Sequence, residues 1–114
     1  MSLGISSYSP SKIKTIYKSN ISNGTFSIFE LPASSSYENA WFDYGIRSGS
    51  NQRAGTIMGC FSNGNINYTE YCTTDLGNTS NVTMSLDLSG SYIRLISTIN
   101  SSDNWNIKAF GRYL

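Results

Sequence analysis

Residues 81–99 read NVTMSLDLSGSYIRLISTI. Two runs alternate between apolar and polar side chains, and a Ser-Gly pair at 89 and 90 lies between them. Glycine tolerates positive φ, so such a pair can close a two-residue hairpin loop. With Ser89 and Gly90 as the loop, Leu88, Leu86, Met84 and Val82 fall opposite Ser91, Ile93, Leu95 and Ser97, and one face is mostly apolar. The other face sets Asp87, Ser85 and Thr83 against Tyr92, Arg94 and Ile96. Alternation with a period of two belongs to an antiparallel sheet with one face buried and one wet.

Downstream, a five-residue loop over 100–104 leads to a last strand from about Trp105 to Tyr113. Folded back as a hairpin, it places Ile99 against Trp105, Ser97 against Ile107 and Leu95 against Ala109. The opposite face then pairs Arg94 with Phe110 and Tyr92 with Arg112, which predicts cation–π contacts there. A slip of one residue would bring Lys108 beside Leu95, so the alternation specifies the register. Upstream, Asn63-Gly64 is the strongest short hairpin signal in the chain. It pairs Ser62 with Asn65, Phe61 with Ile66 and Cys60 with Asn67, and its better face holds Ile57, Gly59, Phe61, Ile66 and Tyr68. Cys72 then falls opposite Gly55, on the other face from Cys60 and well beyond the roughly 7 Å reach of a disulfide. Two free thiols are expected.

Three more strands are expected nearer the N-terminus. Residues 12–19 alternate through Ile13 and Tyr17. Residues 25–31 put Phe26 and Ile28 on one side, with Phe29 and Leu31 on the other. Residues 40–48 are rich in aromatics, with Trp41, Phe42 and Tyr44. Pro32 and the serines at 34–36 end the second of these, and Gly49-Ser50-Asn51 ends the third. That makes about eight short strands, and no segment carries an apolar stripe of helical period. The fold class is all-β: an antiparallel β-sandwich, jelly-roll-like or otherwise Greek-key. Residues 12–114 read as a single sandwich domain, and residues 1–11 as an N-terminal arm or cap.

Charged residues are 13% of the 114-residue chain and the net charge is +1, while Ser, Thr and Asn make up more than a third of it. Such residues wet exposed strands and turns and disfavour long helices. The missing basic excess argues against nucleic-acid binding. Lys12, Lys14 and Lys18 read instead as lysines on a strand edge, where they discourage edge-to-edge pairing. No segment is long and apolar enough to cross a membrane as a helix, so membrane insertion is not expected. Met1 to Pro10 lacks the apolar core of a signal peptide, which suggests synthesis in a cytoplasm. Sequons begin at Asn20, Asn23, Asn67, Asn78, Asn81 and Asn100, and a chain this rich in Ser and Thr produces them by chance.

Histidine is absent, which removes Ser-His-Asp and Cys-His catalysis. Two cysteines without histidine do not complete a zinc site. No catalytic, cofactor-binding or metal-binding residue is assigned, and no cofactor is expected. A glycosidase needs two carboxylates facing across a cleft. Asp43 and Glu70 could meet across strands, but nothing singles them out. The aromatics are the more informative set, with eight tyrosines and two tryptophans. Tyr17, Tyr71, Tyr92 and Tyr113 fall opposite the apolar face or near a terminus. Amphipathic rings of this kind suit subunit contacts or sugar stacking. The candidate interaction surface comprises Tyr71, Tyr92, Arg94, Phe110, Arg112 and Tyr113.

From Arg47 the chain reads RSGSNQRAGTI, later TEYCTTDLGNTSNVTMSLDLSG, and finally YIRLISTINSSDNWNIKAFGRYL. Its marks are Arg-x-Gly at 47–49 and again at 53–55, an Asp-Leu-Gly-Asn-Thr-Ser turn at 75–80, and a closing strand with Trp105, Ile107, Lys108, Arg112 and Leu114. Over roughly residues 25–114 this resembles a β-sandwich module of bacteriophage virion proteins, often found at the distal end of tail fibres. The resemblance implies a non-enzymatic, homotrimeric subunit serving assembly or attachment, as a capsid decoration, head-fibre or tail-appendage protein. It implies other virion proteins as partners and the virion as its location. A host surface glycan is the secondary partner, and a carbohydrate-binding module is the alternative reading.

Overall fold

The computed structural model describes residues 12–32, 38–90 and 92–114. It holds eight strands: β1 (Lys12–Ile21), β2 (Gly24–Pro32), β3 (Asn39–Ser48), β4 (Asn51–Ser62), β5 (Asn65–Cys72), β6 (Val82–Ser89), β7 (Tyr92–Ile99) and β8 (Trp105–Tyr113). They form a five-stranded sheet, β1-β8-β3-β4-β5, and a three-stranded sheet, β2-β7-β6, with every pairing antiparallel. The all-β sandwich expected from the alternation is what the chain forms. The expected arm over 1–11 and the serines at 34–36 lie outside the described residues.

The Asn-Gly hairpin folds as the sequence predicts. Ser62 pairs with Asn65, Phe61 with Ile66, Cys60 with Asn67 and Gly55 with Cys72. Asn63 and Gly64 both take positive φ, 53° and 80°, as a type I′ loop requires. Both cysteines are free and exposed. The Ser-Gly hairpin also forms, but its register differs from the expected one. β6 continues through Ser89, which pairs with Tyr92, and Gly90 begins the loop with φ 58°. The shift is by two residues, so every side chain keeps its face and changes its partner. Leu86 meets Leu95, and Asp87 meets Arg94 rather than Tyr92.

The predicted hairpin between the last two strands does not form. β7 has β2 on one edge and β6 on the other, so β8 crosses to the larger sheet and lies between β1 and β3. Trp105, Ile107, Ala109 and Tyr113 still face inward and are buried. Alternation specifies which side of a strand is buried, not which strand lies beside it. A five-residue loop can serve a hairpin or a crossing between sheets. Here the crossing is anchored by Asn100 N–H donating to the Asn81 carbonyl (2.9 Å) and Asn23 N–H donating to the Ser101 carbonyl (3.0 Å).

In β2 the expected split of aromatics between two faces is undone by a bulge between Ser27 and Phe29. An extra residue in one strand re-aims the side chains beyond it. Ile28, Phe29 and Leu31 are all buried, and Phe26 packs partly against the same core.

The core lies between the sheets. Phe42 on β3 meets Phe29 on β2, with ring centroids 5.6 Å apart. Room for the β3 aromatics comes from glycines directly opposite them. Phe42 faces Gly111, Tyr44 faces Gly55, and a Cβ on Gly55 would lie 2.6 Å from the Tyr44 hydroxyl.

One end of the core is closed by a polar clamp. Arg53 donates to the Thr79 carbonyl (3.2 Å), the Thr79 hydroxyl (2.9 Å) and the Val82 carbonyl (3.0 Å). Its Nε reaches the Tyr44 hydroxyl at 3.3 Å, and that hydroxyl donates to Glu70. The Thr79 amide and hydroxyl both donate to Asp75, at 2.8 and 2.5 Å. The clamp ties the turn at 75–80 to β4 and accounts for the second Arg-x-Gly: Arg53 holds the turn and Gly55 makes room for the tyrosine. The first has a different role, with Arg47 Nε donating to the Gly49 carbonyl at 3.0 Å.

Burial and the Glu70 hydrogen bond push the Tyr44 phenol above the usual tyrosine range. The hydrogen bonds from Thr79 hold the Asp75 carboxyl below the usual carboxylate range.

Urea unfolding tests these contacts. Gly55→Ala overpacks the Tyr44 ring and costs about 1–3 kcal/mol. Arg53→Ala removes the donors that reach the Thr79 hydroxyl and the Val82 carbonyl, while the Thr79 carbonyl keeps the Val82 N–H, and costs about 1–3 kcal/mol. Lysine at that position does not restore the loss, because it lacks the planar fork. The contribution of Asp75 is complete above the unfolded carboxyl pKa of roughly 4 and is lost as pH falls through its lower folded value. Asp75→Asn therefore flattens the acid limb of the stability curve.

Candidate functional site

The outer face of the five-stranded sheet carries the densest set of exposed chemistry. On β3 the inward positions are Ala40, Phe42, Tyr44 and Ile46, so Trp41, Asp43, Gly45 and Arg47 point outward by the period of two. Register extends this into rows across the sheet. One row runs Thr15–Phe110–Asp43–Thr56–Tyr71. A second sets Arg112–Trp41–Met58–Thr69 side by side, and a third Tyr17–Lys108–Gly45–Ala54.

Two open hollows lie on this face. The larger, about 860 Å³, is floored by Gly45 and walled by Thr15, Tyr17, Asp43, Lys108 and Phe110. The Lys108 ammonium sits 5.8 Å from the centre of the Tyr17 ring. Asp43 accepts a hydrogen bond from the Thr56 hydroxyl at 2.6 Å. The smaller hollow, about 450 Å³, is bordered by Asn39, Trp41, Met58, Cys60, Asn67 and Thr69. The Arg112 guanidinium covers the Trp41 ring at 4.9 Å, so a ligand would have to displace it to stack there. Among the described residues the one ion pair is Asp87–Arg94, on the other sheet. Asp43 and Lys108 are therefore not neutralised by each other.

The six residues expected to form one surface are divided among three places. Tyr71, Phe110 and Arg112 stand on the outer face of the larger sheet, with Tyr71 66% exposed. Tyr92 is exposed at the start of β7 on the smaller sheet. Arg94 is on that sheet too, bound to Asp87 by two hydrogen bonds of 2.8 and 2.7 Å. Tyr113 is in the core, 8% exposed and opposite Ala40. The predicted contacts of Arg94 with Phe110 and of Arg112 with Tyr92 are replaced by Asp87 and Trp41. Both errors follow from pairing β8 with β7.

Sequence reasoning weighed Asp43 only as a partner for Glu70 and placed neither Gly45 nor Lys108 in a candidate site. The alternation of β3 already places Asp43 and Gly45 on one face; Lys108 joins them only because β8 lies beside β3. Asp43 and Glu70 do not share a cleft. Asp43 faces outward, while Glu70 is opposite the buried Ile57 and accepts from Tyr44. Among the described residues no group of three or more Cys, Asp or Glu side chains could hold a metal ion.

No family model matches the chain, and no curated protein matches it. Among solved structures it is similar to the tailspike protein gp49 of Acinetobacter baumannii bacteriophage Fri1, a capsular polysaccharide depolymerase. The identity is 9% and the TM-score 0.50, and the match covers 90% of this chain and 18% of the tailspike chain. The likeness is one of fold: a β architecture found within a phage tailspike is shared by this chain.

Proposed function

We propose that the chain is a structural subunit of a phage particle, a head-fibre, decoration or tail-appendage protein, and that it works by assembly rather than catalysis. The observation that carries this reading is an asymmetry of its sheet edges. On one side, β1 carries Lys12, Lys14 and Lys18, and β2 ends in Pro32. Lysine and proline are the residues that keep edge strands from pairing with other chains. On the other side, β5 and β6 contain neither. β5 also presents Tyr68 and Tyr71, 45% and 66% exposed. Tyr68 occupies an inward position, but a three-stranded sheet does not reach far enough to cover it. A homotrimer closed through the β5/β6 side would bury these rings and the open edge together. The shared fold with a phage tailspike agrees with a virion setting.

A second reading is attachment to a host surface glycan. It is favoured by the larger outward hollow, where aromatic rings stand beside an unneutralised acid and ammonium.

Native mass spectrometry at micromolar concentration tests the assembly. A trimer is expected, and a strictly monomeric chain counts against the proposal. Tyr71→Lys puts a charge on the open edge and is expected to yield folded monomers whose unfolding midpoint no longer depends on protein concentration. A trimer that survives this change places its interface elsewhere.

A further inference from the structure

Gly45 is a glycine that the fold does not require. The other glycines in the described residues have a structural reason. Either the backbone takes a positive φ, or a Cβ would lie within about 3 Å of a neighbouring atom. Gly45 has no positive φ, and a Cβ built on it meets nothing within 4 Å. It sits in the middle of β3, the central strand of the larger sheet. A strand-interior glycine there weakens the sheet relative to almost any side chain. A glycine kept at such a position often marks a place where another molecule comes close to the backbone.

We propose that the hollow over Gly45 is a saccharide-binding site that takes one neutral pyranose unit. The proposal rests on the attachment reading above and assigns it a location. Tyr17, 54% exposed with the Lys108 ammonium over one of its faces, and the half-buried Phe110 offer apolar ring surface to the C–H face of a sugar. Rings of this kind combine an apolar body with adaptable edges. Asp43 accepts from sugar hydroxyls, and Lys108 and Thr15 supply donors within the same hollow. The bare backbone at Gly45 lets the ring settle between them. A protein partner fits less well, because the cores of protein–protein interfaces are depleted of charged groups. The walls of this hollow hold an acid and an ammonium. The site lies on the outer face, away from the β5/β6 edge, so binding and assembly can coexist.

The test uses the full chain, isotope-labelled, titrated with methyl β-glucoside, methyl β-galactoside and N-acetylglucosamine, with shifts followed by NMR. A glycan array is run in parallel. At least one sugar is expected to shift residues around 15–17, 43–45 and 108–110, with Kd on the order of millimolar, as suits a shallow open site. Gly45→Val fills the floor without touching the core. It is expected to abolish binding while the unfolding midpoint stays equal or rises. Tyr17→Ala is expected to weaken binding by about tenfold, the size of one lost ring contact. Four results overturn the site. Glycan binding that Gly45→Val leaves intact, or shifts centred on Trp41 and Met58, removes this hollow while attachment stands. Groove residues that become protected on self-association assign the face to a second copy. Silence from both the sugars and the array removes the site and the attachment reading together.

Discussion

Ala40, Phe42, Tyr44 and Ile46 alternate along β3, the middle strand of the larger sheet, and their burial against the smaller sheet supports everything else in the molecule. Each large side chain buried here contributes about 1.5–3 kcal/mol. The contact works because the neighbouring strands give way where the rings are widest. Gly111 lies beside Phe42 and Gly55 beside Tyr44, so the aromatic rings rest over bare backbone, and Phe42 meets Phe29 from the opposite sheet. At the end of that row the core cannot close with apolar groups alone. The Tyr44 hydroxyl, Arg53, Thr79 and Asp75 finish it with hydrogen bonds, which keeps the polar atoms at that end paired.

Once β3 is committed to the core by its even-numbered residues, the odd-numbered ones must face outward, and the exposed chemistry follows. Trp41, Asp43 and Gly45 are set in a plane with the partners that β8 and β4 bring beside them. Five strands stacked over three also leave the larger sheet overhanging, so inward positions on β5 such as Tyr68 remain open to solvent. The exposed aromatic and charged surface arises from a mismatch in sheet width and from the far side of one central strand. It required no elaborate loops.

Much of the fold was legible because the alternation is strong and the turn residues are specific. Asn63-Gly64 dictates its pairing through backbone geometry, and every partner across that hairpin is the expected one. Ser89-Gly90 is weaker information. The turn needs one glycine, and whether that glycine is first or second in the loop moves all partners by two without moving any face. The Asp87–Arg94 pair depends on that choice. The candidate surface was less legible, because it depends on neighbours. Phe110 and Arg112 were correctly placed facing outward, yet their companions are Asp43 and Trp41 rather than Arg94 and Tyr92. Tyr113 was expected outside from its nearness to the terminus. In fact it follows the alternation of β8 into the core.

Taken alone, the order of residues determined the strands, the core-facing side of the regularly alternating ones, the free thiols and the all-β class. These are local properties, set by side-chain period and by turn chemistry within a few residues. Only the tertiary structure decided that β8 leaves β7 for β1 and β3, that a bulge turns Phe26 and Phe29 to one side, and that Lys108 and Phe110 stand with Asp43 around a bare glycine. Strand adjacency between sheets is a contest among many partners of similar apolar pattern. It is settled by how the whole set of faces closes, which no single segment encodes.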